Sequence, residues 1–234
     1  MKQLNQFINE YIVNKKLDKP IDSEDHYDYT PETKDELIEI IQTLLNKGET
    51  DLNCIDTSAI TDMSGLFYKD IFFTIAFNVS NWNVSNVKSM RNMFKGCEFF
   101  DCDLSKWDVS NVKYMNNMFG NCSKFNCDLS NWNVSKVKTI KNMFINCENF
   151  NSDLSNWNVS KVEDMVAAFY GCYNFTGKGL DKWDVSNVEN MEYMFYDCKK
   201  LNCNLSKWNI SKVEDMTVMF YNCNSLKNKP KWYK

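Results

Sequence analysis

Residues 103–125 read DLSKWDVSNVKYMNNMFGNCSKF, and near-copies of this segment fill most of the chain. All the tryptophans are in phase, with successive spacings of 25, 25, 25, 26, 25 and 24 residues. They are Trp82, Trp107, Trp132, Trp157, Trp183, Trp208 and Trp232. Phenylalanine and cysteine columns follow the same period, and a degenerate earlier copy, IDTSAITDMSGLF, occupies residues 55–67. A period of this length is typical of stacked supersecondary units.

The apolar positions change their spacing within each unit. Trp107 and Val109 alternate with polar residues, as in a short strand. From Val112 to Cys122 the apolar residues recur every three or four positions, as on one face of a helix, and Ser110 stands where an N-cap belongs. The sequence therefore predicts an α/β fold: a leucine-rich-repeat-like solenoid of about seven coils over residues 51–234, with one short parallel strand and one short helix in each coil.

Residues 1–50 do not repeat and form a separate region in this reading. The apolar residues between Leu4 and Ile12 favour a first amphipathic helix. A second helix is expected from Thr30-Pro31-Glu32 to Gly48, because proline suits the first helical turn and glycine the end. We predict an N-terminal helical cap on the first coil. The alternative is that a helix over residues 4–13 binds a partner independently.

Composition and charge limit the classes of partner. The chain has 234 residues, a net charge of -4 and a pI near 5.2, which argues against a nucleic-acid-binding surface. Its single arginine, Arg91, leaves little scope for bidentate recognition of phosphate. No apolar stretch reaches the roughly 18 residues that a membrane span needs, and residues 1–20 lack the apolar segment of a secretion leader. We therefore expect no membrane insertion and no export through a standard leader.

Four copies of one motif carry a resemblance to a known family. They are NWNVSNVKSMRNMF at residues 81–94, KWDVSNVKYMNNMF at 106–119, NWNVSKVKTIKNMF at 131–144 and KWDVSNVENMEYMF at 182–195. These units resemble the 26-residue repeats of bacterial surface proteins, the DUF285 group within the BspA-like leucine-rich-repeat family. The resemblance implies a non-catalytic protein-binding protein of the adhesion or host-interaction type, located at the cell surface or secreted. It brings no catalytic residues with it.

Cysteine and histidine offer the obvious candidates for chemistry. Nine of the ten cysteines fall in two repeat columns, but their five-residue spacing is not that of C-x-x-C zinc pairs. Ser152 and Gly177 interrupt the second column, so we interpret the thiols as reduced, small buried residues, with disulfides or zinc as the alternative. His26 is the only histidine, which excludes a His-based triad or a multi-His metal site. We expect no enzymatic activity, cofactor or metal.

Differences between copies indicate where a partner could bind. The late copies carry a strip of tyrosines and acids where early copies carry other residues: Tyr170, Tyr173, Tyr193, Tyr196, Tyr221, Glu163, Glu189 and Glu214. Aligned tyrosines beside acids are typical of protein-binding surfaces, so we predict a protein partner here. The structural alternatives are an aromatic ladder that joins coils and glutamates that cap helix N-termini.

A second candidate surface is the polar face of the predicted strands. It comprises Lys106, Asp108, Asn131, Asn133, Asn156 and Asn158. On a concave solenoid face this regular polar pattern favours a carbohydrate- or polymer-binding module. The structural alternative is an asparagine and serine ladder between neighbouring coils.

Overall fold

The computed structural model describes residues 27–68 and 74–233. Helix α1 spans Lys34–Asn46, and a 3₁₀ helix spans Leu180–Lys182. Thr33 and Glu36 form a reciprocal capping box at the start of α1, which stabilises its first turn. The expected second N-terminal helix is therefore present, although it begins at Lys34 rather than at Thr30. The predicted helix over residues 4–13 and His26 lie outside the described residues.

Helix α1 packs against the first coil through its apolar side. Leu37 and Ile41 are fully buried in the same core as the repeats. The Lys34 ammonium donates to the Ser64 carbonyl and lies 3.5 Å from the Asp62 carboxylate. The helix thus covers the N-terminal end of the stack with both apolar and polar contacts.

The predicted strand and helix in every coil are wrong. In residues 51–68 and 74–233 the coils contain turns and single parallel bridges, and the short 3₁₀ helix is the only helix among them. One series of parallel bridges joins each coil to the next: Asp62↔Ser89, Ser89↔Tyr114, Tyr114↔Thr139, Thr139↔Asp164, Asp164↔Asn190 and Asn190↔Asp215. A second bridge, Asp51↔Asn78, also joins the first coil to the next. The chain is a stack of turn-rich coils, and within the described residues it has neither a sheet nor repeated strand-helix units.

The Trp-x-Val segment fails to form a strand because its backbone is held inside its own coil. The Trp107 N–H donates to the Leu104 carbonyl at 3.1 Å, which closes a turn. The Ser110 N–H donates to the Asp108 carboxylate at 3.0 Å, and the same two-residue bond recurs in the other copies. Asp and Asn favour this local turn over a ladder between strands. Ser110 is thus a donor in a turn, not a helix N-cap.

The expected helix is replaced by a run of four-residue turns. The Met93 N–H donates to the Met90 carbonyl, and the Cys97 N–H donates to the Phe94 carbonyl. The third residue of each turn has a positive φ: 54° at Asn92 in the first and 84° at Gly96 in the second. A positive φ at this position is characteristic of type II turns. It is incompatible with a continuous right-handed helix. Turns that repeat every four residues give the same apolar spacing as a helix, which explains the wrong prediction.

Alternate backbone amides of these turns point along the stack. In the coil that contains Trp107, the N–H groups of Asn117 and Phe119 donate to the carbonyls of Lys141 and Met143, both at 2.9 Å. The next coils repeat this pattern up to the Asp197 N–H, which donates to the Tyr221 carbonyl. Backbone hydrogen bonds between coils therefore replace the ladder that a sheet would supply.

Side-chain ladders fill the space between the coils. Each indole N–H donates to a carbonyl of the preceding coil at 2.8–3.1 Å. The rings of Phe94, Phe119 and Phe144 stack with centroid distances of 5.6 and 5.7 Å. Because each coil buries its neighbour's apolar face, stability rests on contacts between adjacent copies. No helix within the described ranges has the length and apolarity to cross a bilayer.

Candidate protein-binding surface

Each full coil presents one nine-residue turn segment on the same side of the stack. We call these six segments together the turn face. Its N-terminal half comprises residues 88–96, 113–121 and 138–146, and its C-terminal half comprises residues 163–171, 189–197 and 214–222. Within the first segment Met90, Met93 and Phe94 are buried, whereas Lys88 and Arg91 are exposed. The side chains of the first, fourth and eighth residues of each segment therefore determine the chemistry of the exposed surface.

Three tyrosines at the eighth position form an external aromatic ladder. The rings of Tyr170 and Tyr196 are 4.6 Å apart and 4° from parallel. Tyr196 and Tyr221 are 4.7 Å apart at 19°. Tyr221 remains 54% exposed at the end of the ladder. The coil spacing thus brings side chains 25 and 26 residues apart into a single preformed surface.

The two other predicted tyrosines occupy different places. Tyr193 lies on the turn face, with its ring 6.0 Å from that of Tyr196. Tyr173 lies outside the turn segments, and the Lys199 ammonium sits 4.3 Å from its ring centroid. Tyr193 therefore lies beside the ladder, with its ring tilted 59° from that of Tyr196, whereas Tyr173 is engaged in a cation–π contact of its own.

The ladder hydroxyls are available to a partner. Across residues 27–68 and 74–233, no hydrogen bond involves the hydroxyl of Tyr170, Tyr193, Tyr196 or Tyr221. Partial burial, and then the neighbouring Tyr170 and Tyr221, raise the pKa of Tyr196. The Tyr196 hydroxyl therefore stays protonated at neutral pH and can both donate and accept a hydrogen bond.

The predicted glutamates stand at the first position of the turn segments, where all three are exposed. The Glu163 N–H donates to the Lys138 carbonyl at 2.9 Å, and the Glu189 N–H donates to the Glu163 carbonyl at 2.8 Å. The Glu163 carboxylate lies 3.9 Å from the Lys138 ammonium, but both groups are solvated. Helix capping does not explain these glutamates, because no helix follows them. Their exposed side chains therefore contribute to the charge of the surface.

The alternative polar face is exposed but mostly committed to the fold. The Asn133 and Asn158 amide oxygens accept from the backbone N–H groups of Ser135 and Ser160. The Asn156 amide donates to the Ser130 carbonyl of the preceding coil at 3.3 Å.

Asp108 belongs to the same polar face, and its carboxylate also accepts a hydrogen bond from within its own coil. Its hydrogen bonds from Ser110 lower the pKa of its carboxyl. Lys106 and Asn131 are exposed beside these turns. Such bonds use many of the groups that a glycan would need.

The thiols of the first cysteine column contact carbonyls of the preceding coil. The column comprises Cys97, Cys122, Cys147, Cys172, Cys198 and Cys223. The Cys122 and Cys147 thiols lie 3.0 and 2.9 Å from the carbonyls of Phe94 and Phe119. Burial raises the pKa of Cys97 to about 12. A thiol in this state is a poor nucleophile. No group of three metal-ligating side chains converges in the described part of the chain.

The interrupted second cysteine column is explained by one hydrogen bond. The Val79 N–H donates to the Cys102 thiol at 3.4 Å, and the Leu129 N–H donates to the Ser152 hydroxyl at 2.9 Å. In the coil with the extra residue, the Lys178 carbonyl accepts from the Leu154 N–H instead. The column therefore needs an acceptor rather than a thiol.

Sequence reasoning missed a polar cleft of about 420 Å³ beside the extra residue. Its walls include Thr176, Asp181 and Asn202, and Gly177 and Gly179 have φ of 79° and 91°. A Cβ at Gly179 would collide with the backbone of the preceding coil. The 26-residue spacing between Trp157 and Trp183 was the available signal.

Comparison with known proteins identifies the repeat. Neither the curated proteins nor the solved structures include a significant match. A family model does match, over residues 37–157 and again over 138–233, and its description is "Mycoplasma protein of unknown function, DUF285". These two matches cover most of the chain, and the chain therefore belongs to the DUF285 family.

Proposed function

We propose that the chain is a non-catalytic, protein-binding repeat protein, related to the BspA-like surface proteins and active in adhesion or host interaction. The observation that carries this proposal is the external ladder of Tyr170, Tyr196 and Tyr221, with centroid distances of 4.6 and 4.7 Å. The stack does not need these rings for its core, because Lys95, Gly120 and Ile145 stand in their place in earlier copies.

A surface of this kind loses little conformational entropy when a partner binds. A tyrosine offers a large amphipathic contact area with only two side-chain torsions to fix. In this ladder the neighbouring rings already restrict those torsions, so binding a partner loses little further conformational entropy. Hydroxyls without partners in the described residues can then bond to the partner's polar groups.

The direct test is a pull-down from source lysate with the tagged full chain. We expect Tyr170→Ser, Tyr196→Ser and Tyr221→Ser, made together, to lose proteins that the unmodified chain captures. The matched control is Phe99→Ser, which removes an exposed aromatic ring (44% exposed) outside the turn face. If the triple variant retains every captured protein, the tyrosine ladder is not a binding site.

A glycan array tests the carbohydrate alternative. Suppose that a glycan binds strongly, that this binding persists in the tyrosine variant and that it is lost in Lys106→Ala. The binding function would then belong to the polar face that contains Lys106. We expect no such signal, because Asn133 and Asn158 already accept backbone hydrogen bonds.

A further inference from the structure

The turn face carries its charges in two separate blocks. Its N-terminal half contains six basic and no acidic side chains, and its C-terminal half contains seven acidic and no basic ones. The first position of each segment shows the change most simply, from Lys88, Lys113 and Lys138 to Glu163, Glu189 and Glu214. All six of these residues are exposed.

The fold itself does not require this segregation. The Lys113 and Lys138 N–H groups make the same backbone bond to the preceding coil as the N–H groups of Glu163 and Glu189, at 2.8–2.9 Å. Lysine and glutamate thus occupy equivalent backbone positions, and either is compatible with the turn. The separation of basic and acidic residues is therefore explained by an interaction with another molecule rather than by folding.

We infer that the turn face is the interface of an antiparallel homodimer, in which the two-fold axis crosses the face between residues 138–146 and 163–171. This inference rests on the proposed protein-binding function and names a second copy of the chain as the partner of the tyrosine ladder. A two-fold interface must be self-complementary, so residue i meets residue j and residue j meets residue i. A face with one basic and one acidic half meets that condition when the copies run in opposite directions.

Charge complementarity holds segment by segment in this arrangement. The axis lies across the coils, so the same position in a segment meets its equivalent, and the first segment faces the sixth. Lys88 then faces Glu214, Lys113 faces Glu189, and Lys138 faces Glu163. Both copies have the same coil spacing, so one matched pair brings the others into register.

Side-chain size is also complementary at the eighth position. Tyr196 of one copy faces Gly120 of the other, which adds no side chain to fill the space. Tyr170 faces Ile145, and Tyr221 faces Lys95, an arrangement that suits apolar and cation–π contacts. Large residues therefore meet small or flexible ones along the whole ladder.

Charge excludes the parallel dimer through the same face. An axis along the stack would place the basic halves together and the acidic halves together, which penalises that arrangement. The charges thus select the antiparallel arrangement and make it sensitive to salt, since solvated charges are screened at high ionic strength.

Charge reversal in two complementary variants tests the dimer. One variant carries Lys88→Glu, Lys113→Glu and Lys138→Glu, and the other carries Glu163→Lys, Glu189→Lys and Glu214→Lys. By sedimentation velocity at low salt, we expect the unmodified chain to dimerise and each variant to be monomeric. An equimolar mixture of the two should form a heterodimer, because every opposed pair again has opposite charges. About 1 M salt should dissociate both dimers.

The conservative variant Lys88→Arg, Lys113→Arg, Lys138→Arg serves as the control and should remain dimeric, and tryptophan fluorescence verifies that all variants fold. A monomeric unmodified chain at every salt concentration, or a mixture that stays monomeric, overturns the inference. If the chain is monomeric but still captures a protein in a tyrosine-dependent way, the homodimer fails and the proposed function stands. If the chain neither dimerises nor captures a protein in a tyrosine-dependent way, both the homodimer and the proposed function fail.

Discussion

At the residue scale, the turn segments impose one backbone requirement that the sequence does not always meet. The third residue of the first turn has φ above zero in every full coil, and asparagine fills the place at Asn92, Asn117 and Asn142. In the last coil this residue is Val218, with φ of 52°. A β-branched side chain in this conformation is strained by contacts with its own backbone.

We therefore expect Val218→Asn to stabilise the chain. The gain should be about 1 kcal/mol, since the left-handed conformation costs most residues roughly 1–2 kcal/mol and asparagine less. The measurement is urea unfolding of the unmodified chain and the variant. Asn117→Val, the reverse change in an interior coil, should destabilise by at least as much. Equal midpoints for all three chains would show that this position is not strained.

The buried thiols should make the fold sensitive to alkaline conditions. Burial raises the pKa of Cys97, Cys127 and Cys223 from an ordinary 9.0 to about 12. Below about pH 8.5 the thiols are mostly protonated in both the folded and the unfolded chain, so they add little pH dependence there. Between pH 9 and 12 the unfolded chain loses its thiol protons first, and stability falls as pH rises.

Urea unfolding between pH 7 and 10.5 measures this effect. Stability should be flat up to about pH 8.5 and then decline. Cys97→Ala in the same series should lower stability at neutral pH but flatten the alkaline decline. A slope above pH 9 that is the same with and without this thiol would contradict the assignment.

At the element scale, the sequence predicted helix α1 and the phase of the coils, but not the conformation of the coils. The capping residues Thr33 and Glu36 and the following apolar residues define α1 locally. The spacing from Val112 to Cys122 did not distinguish a helix from successive four-residue turns. The residues that distinguish the two are Gly96, Asn121 and Gly171, because their repeat column contains only Gly, Asn and Asp. These residues tolerate φ above zero.

The candidate site was predictable only in part. Tyr170, Tyr196 and Tyr221 shared a column, so their proximity followed from the repeat alone. The displacement of Tyr173 towards Lys199 did not, because it depends on which way each turn directs its side chains.

Hydrogen exchange should separate interior from terminal turn segments. The N–H groups of Asn117 and Phe119 donate to carbonyls of the next coil, whereas the equivalent Val218 and Phe220 N–H groups find no acceptor in the described residues. We expect the first pair to exchange orders of magnitude more slowly, since exchange follows local opening. Equal protection of both pairs would contradict the open end of the stack.

At the scale of the whole molecule, the stack has two unlike ends and one bipolar face. Helix α1 covers the first coil, whereas unpaired amides remain at the last described turn segment. Between them, contacts from coil to coil hold the chain together, and no part of the described core is separate from them. The defining feature of this structure is therefore that alternate backbone amides donate to carbonyls of the next coil.

Nuclear magnetic resonance can observe these bonds directly through the scalar coupling between an amide nitrogen and the carbonyl carbon that accepts its proton. We expect a cross-peak from the Asn117 nitrogen to the Lys141 carbonyl carbon, and another from the Phe119 nitrogen to the Met143 carbonyl carbon. Cross-peaks from Asn117 to Lys113 and from Phe119 to Met115, the pattern of an α-helix, would contradict it.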